Sequence, residues 1–141
     1  MSLARRRLLL TLAMLPAGAA AAPALEAAQR ALVGDAAIEA GGMVLRLPAL
    51  AEHGGQVPVT VTVESPMTAA DHVTHIHLLA TRNPTPGLVS FTLSPALSRA
   101  EVQTRIRLAE DQQVVALAVL ADGRVRRAVA ETRVVTGGCI G

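Results

Sequence analysis

The stretch Ala100-Glu101-Val102-Gln103-Thr104-Arg105-Ile106-Arg107-Leu108 decides the fold class. Ala100, Val102, Thr104, Ile106 and Leu108 alternate with Glu101, Gln103, Arg105 and Arg107. A period of two over nine residues is the pattern of a half-buried strand, with one face on a core and one in water. The same period runs upstream, where Val57, Val59, Val61 and Val63 alternate with Pro58, Thr60, Thr62 and Glu64. Working outward, further β-branched runs cover residues 44–47, 73–80, 88–93, 114–120 and 125–135. Asp122-Gly123 is a two-residue hairpin turn between the last two. Residues 83–87 (NPTPG) and 52–55 (EHGG) are loops by composition. Seven short runs with turn signals between them predict an all-β, immunoglobulin-like antiparallel β-sandwich of about seven strands. Neither Trp nor a second Cys is present, so aliphatic packing must hold the sheets together. The run 114–120 is apolar on both faces, which predicts a central strand and a sheet face or edge covered by a second subunit.

Ahead of the strands, residues 25–40 (LEAAQRALVGDAAIEA) are rich in helix formers. Leu25, Ala28, Leu32 and Val33 share one face at helical spacing. A short N-terminal helical segment is therefore expected within 23–41, interrupted at Gly34 and ended by Gly41-Gly42.

The first 22 residues read as an export signal. Arg5-Arg6-Arg7 precede the apolar run 8–15, Pro16 and Gly18 break it, and residues 17–22 offer Ala-x-Ala cleavage sites. The apolar run is far short of the roughly 20 residues needed to span a bilayer, so no membrane anchor is expected. Adjacent arginines followed by Leu8-Leu9 resemble the twin-arginine export motif, with Leu where Phe is usual. The expected mature chain begins between Ala20 and Leu25 and works in the periplasm. Removal of the signal changes the charge: residues 23–141 carry 10 Arg against all 11 acids, a net of −1. With one aromatic residue, Phe91, and no net basic charge, nucleic acid is excluded as a partner.

The single cysteine, Cys139, lies in Thr136-Gly137-Gly138-Cys139-Ile140-Gly141. A lone Cys in an exported chain has no internal disulfide partner. Two preceding glycines and a terminus two residues later leave nothing to hold it in a core. An intermolecular disulfide is one reading; the favoured one is a functional, exposed thiol. The glycines remove side-chain bulk and widen backbone freedom. Four residues from Val135 to Cys139 reach roughly 13 Å when extended. A rigid catalytic site is poorly served by such a tail, whereas covalent carriage of a sulfur group as an S–S bond is well served. Gly137, Gly138, Ile140 and Gly141 complete a flexible carrier arm over 136–141.

These features occur together with LPALAEHGGQVPV (47–59), SPMT (65–68), IH (76–77), NP (83–84), TRIRLA (104–109), DG (122–123) and the Gly-Gly-Cys tail. In that order they resemble the SoxY family, the sulfur-carrying subunits of the periplasmic thiosulfate-oxidising system. The resemblance implies an immunoglobulin-like sandwich, a twin-arginine signal and a heterodimer with a SoxZ-like subunit. It also implies that Cys139 carries thiosulfate-derived groups to the haem, hydrolase and sulfur dehydrogenase components of the Sox system. The protein would then be a substrate of enzymes rather than an enzyme, with no cofactor. The tail departs from the commonest family ending, Gly-Gly-Cys-Gly-Gly: Ile140, stiff and β-branched, replaces a glycine.

A second reading rests on DHVTHIH, residues 71–77. His75 and His77 fall on the same face of a strand, about 7 Å apart along the chain. Two such imidazoles could bind Zn or Cu, with His53, His72 and Asp71 nearby in kind. The plainer alternative is a polar face of an edge strand or a subunit contact. On this reading the chain is a non-carrier periplasmic binding or assembly module. No Ser/His/Asp, paired-carboxylate or phosphate-loop arrangement is present to define an enzyme.

Overall fold

The computed structural model describes residues 21–135. The expected export signal (1–22), but for residues 21 and 22, and the expected carrier arm 136–141, including Cys139, lie outside the described residues. One helix, α1 (Ala21–Val33), precedes nine strands: β1 (Ile38–Ala40), β2 (Met43–Arg46), β3 (Leu50–Ala51), β4 (Val57–Val63), β5 (Val73–Ala80), β6 (Gly87–Thr92), β7 (Ala100–Ile106), β8 (Gln112–Leu120) and β9 (Val125–Val134). They form two sheets. The larger runs β1-β9-β8-β5-β6, with β3 also on β9, and the smaller runs β2-β4-β7. This is the β-sandwich that the alternation predicts. The seven sequence runs are β2, β4, β5, β6, β7, β8 and β9.

The alternation sets the register. In the small sheet Val57, Val59, Val61 and Val63 pair with Ile106, Thr104, Val102 and Ala100, so both strands turn the same face inward. Across the core they meet Val73, Ile76, Leu78 and Ala80 of β5 and Val114, Ala116, Ala118 and Leu120 of β8. Burying each Val, Leu or Ile of this set contributes about 1.5–3 kcal/mol.

The outer face of β8 finds its cover within the same chain rather than on a second subunit. Val115 and Leu117, with Leu79 and Val125, pack against Leu25, Ala28, Val33 and Ala36 of α1 and the turn after it. Leu32 of the same helix stays 38% exposed. The helix is also shorter than its composition suggests. Gly34 takes φ +61° and its N–H bonds the Arg30 carbonyl at 2.8 Å, a left-handed cap that ends the helix. Residues 38–40, expected to be helical, instead lie parallel along β9, with Ile38 opposite Val125 and Ala40 opposite Arg127. Strand pairing outweighs a modest helical propensity over three residues.

One side of the sandwich is strapped shut. Arg126 on β9 reaches across and its Nη1 donates to the carbonyls of Gly42 at 3.1 Å and Glu64 at 2.6 Å. Among the described residues no helix is long and apolar enough to cross a membrane.

Candidate functional site

Residues 136–141 follow β9 in the sequence, so the contacts that hold the end of β9 fix where that segment begins. The last residues of β9 are gripped on both sides. On one side the Arg133 N–H donates to the Ala49 carbonyl and the Val135 N–H to the Ala51 carbonyl, each at 3.0 Å. These are the parallel bonds of the two-residue β3. On the other side β8 begins only at Gln112, opposite Thr132, and has no backbone carbonyl left for Val134. The Asp111 carboxylate takes that place: its Oδ1 accepts from the Val134 N–H at 2.6 Å. The Thr132 hydroxyl donates to the Pro48 carbonyl at 2.7 Å. Thus hydrogen bonds hold the chain through Val135, one residue past the end of β9.

The loop bearing Gly54 closes over this root. The Leu108 N–H donates to the Gly54 carbonyl at 2.8 Å. A Cβ added at Gly54 would lie 2.6 Å from the Leu108 carbonyl oxygen and 2.9 Å from Val134 Cγ1. The EHGG segment, read as a loop from its composition, therefore has a steric role against β9. Beside the root opens a cleft of about 830 Å³ whose lining includes Leu25, Ala49, Arg82 and Arg133, with Asp111 and Glu131. Neither Asp111 nor this cleft was signalled by sequence spacing; an acid in a loop just before a strand carries no motif.

The histidines do not lie on an edge strand. β5 lies between β8 and β6, so His75 and His77 belong to an interior strand rather than an edge. They share its outer face, as their spacing predicts, and their rings stack at 5.8 Å between centroids and 8° between planes. His77 Nδ1 lies 2.6 Å from Ser90 Oγ on β6, and His75 Nδ1 lies 3.0 Å from Thr74 Oγ1. His72 is separately engaged, its Nδ1 2.9 Å from the Thr68 carbonyl. Among the described residues no group of three or more His, Cys, Asp and Glu is placed to hold a metal ion.

Burial, and then the charge of His75, hold the His77 imidazole below its ordinary value. A lowered His pKa means that the unfolded chain takes up its proton first as pH falls. Stability from this group is therefore full above about pH 6.5 and is lost as pH drops toward the folded value. His77→Gln retains a partner for Ser90 but does not titrate. Its melting temperature should fall less than the wild type's between pH 7 and pH 5. Parallel curves from thermal melts would contradict this.

A family profile described as "Sulfur oxidation protein SoxY" matches residues 29–139. The chain belongs to the SoxY family. The SoxY match spans the sandwich and extends to Cys139. Among solved structures, the sulfur carrier protein SoxY from Chlorobium limicola f thiosulfatophilum is 30% identical, with a TM-score of 0.67 over 81% of this chain and 98% of that one. Superoxide reductase (neelaredoxin) from Ignicoccus hospitalis is 18% identical, with a TM-score of 0.60 over 67% of this chain and 81% of that one. Superoxide reductase from Nanoarchaeum equitans is 9% identical, with a TM-score of 0.57 over 68% and 98%. At those identities the two reductases share the SoxY fold and nothing further is carried over. No curated protein sequence matches the chain.

Proposed function

We propose that this SoxY-family chain is a periplasmic sulfur carrier that holds thiosulfate-derived groups on Cys139 and presents them to partner enzymes. The observation that carries the reading is family membership over 29–139, a span that ends on the chain's single cysteine. The gripped end of β9 supports it. Two glycines, which carry no side-chain bulk, precede Cys139 in the sequence, as delivery of the thiol into a partner's site requires.

The chemistry is covalent and sulfur-centred. The Cys139 thiol loses its proton, and an S–S bond forms between its sulfur and the outer sulfur of thiosulfate. That coupling releases two electrons, which a haem-bearing partner must accept. Water then attacks the terminal sulfonate sulfur in a hydrolase partner, releasing sulfate and leaving a persulfide on Cys139. A sulfur dehydrogenase partner takes six electrons from the outer persulfide sulfur, three waters supplying the oxygens of a new sulfonate, and a second hydrolysis releases sulfate and returns the Cys139 thiol. None of these steps needs a base or metal from this chain, which acts as substrate throughout. A SoxZ-like subunit completes the working unit as a heterodimer.

Two experiments test separate parts of the proposal. Gly138→Val stiffens the backbone beside the thiol. It should slow turnover with the partner enzymes several-fold and leave alkylation by iodoacetamide almost unchanged. Equal slowing of both reactions would mean that the substitution alters the thiol rather than its delivery. For export, Arg5→Lys with Arg6→Lys should retain the protein in the cytoplasm if it takes the twin-arginine route. Normal export of that variant would assign the general secretory route instead.

A further inference from the structure

The two long sides of the sandwich differ. On one, Arg126 straps the small sheet to β9. On the other, β6 is the free edge of the large sheet and β7 the free edge of the small one. Between them runs a groove of about 500 Å³ whose lining includes Leu88, Val89, Ile106, Arg105 and Arg107.

This seam has three properties that single it out. First, β6 (GLVSFT) is an edge without any charge or proline. Edge strands of proteins that stay alone are usually blunted by such residues, because their open backbone groups invite another strand. Second, the register with β5 slips at Leu78/Leu79, where Leu78 faces Val89 and Leu79 faces Gly87, leaving Leu88 as an extra residue. A bulge of this kind re-aims a side chain. Leu88 and Val89 both pack on the core while remaining only partly buried. Third, the facing rim is cationic. Arg105 and Arg107 are exposed, and neither has an acid within ion-pair distance among the described residues, where the ion pairs involve Arg99 and Arg124 alone.

We infer that the seam between β6 and β7 is the docking surface for a partner protein that lays an extended, acidic segment along β6. Its apolar side chains enter the groove against Leu88, Val89 and Ile106, and its carboxylates meet Arg105 and Arg107. Charge decides between occupants. A second copy of this chain docked through the same seam would bring two Arg105–Arg107 rims together, whereas an acidic partner neutralises one. The inference deepens the heterodimer reading above and rests on it for the existence of a partner; the location and chemistry of contact come from the seam.

The test uses the full mature chain with the SoxZ-like subunit as probe. Amide hydrogen exchange should slow in the complex over residues 87–92 and 104–107. Arg105→Glu combined with Arg107→Glu, both at exposed positions, should weaken binding more than tenfold and leave the melting temperature of the free chain unchanged. Arg30→Glu, on the exposed side of α1, should bind as the wild type does. A stable complex whose protection lies elsewhere, with the double variant binding normally, would overturn the seam while leaving the heterodimer intact. Self-association of the free chain through 87–92 would overturn the acidic-partner assignment. Absence of any complex would overturn the heterodimer and the seam together.

Discussion

Cys139→Ser should fold as the wild type does, retain its partner subunit and reduce thiosulfate-dependent electron transfer in a reconstituted system to the level seen without the protein. Serine keeps the size and polarity of cysteine. It cannot join thiosulfate through an S–S bond, and no second cysteine exists to substitute for it. Among the described residues the buried members of the main core run from Ala51 to Val134. Loss of activity with an unchanged melting curve and an unchanged elution volume in complex with the partner is the expected combination. Full activity in the variant would end the carrier reading and make the binding-module alternative, with the His75/His77 face, the next to test.

Gly54→Ala should destabilise the fold by about 1–3 kcal/mol, the usual cost of forcing an atom into filled space. The added methyl meets the Leu108 carbonyl, which is backbone, at 2.6 Å and Val134 Cγ1 at 2.9 Å. A methyl group cannot be accommodated there unless the 52–55 loop or the end of β9 moves. Because Val134 lies next to the root of the arm, the predicted loss is local as well as global. Hydrogen exchange at the Val134 amide, held by Asp111, should accelerate more than at β4 or β8 amides. Asp111→Ala offers an independent check, since it frees the same amide without adding bulk. A Gly54→Ala variant as stable as the wild type would show that the loop does not brace the root.

Much of this structure could be read from the chain. The alternation at 57–63 and 100–108 names residues that face the core, and the core contains all of them except Val102, which packs against it partly buried, and Thr104. Val114–Leu120 reads as a central strand from its apolarity alone, and β8 is central, but what covers its second face is not legible there. That cover is α1, and nothing local to either segment says that they meet. The same limit explains β1 and β3: three and two residues pair parallel to β9, too few to show a period. For the histidines, spacing gives the shared face, but the order β8-β5-β6 makes their strand interior, and strand order is a property of the whole fold. The candidate site divides similarly. Cys139 and its glycines stand out by composition, whereas Asp111 and Gly54 matter through contacts with residues distant from them in sequence.

The most direct test of the central claim is the intact mass of the protein purified from its native periplasm during growth on thiosulfate, without reducing agent. The account predicts a chain lacking Arg5 to Arg7 and carrying sulfur-containing adducts that localise to Cys139 and disappear on reduction. A homogeneous, unmodified mass under those conditions would contradict it.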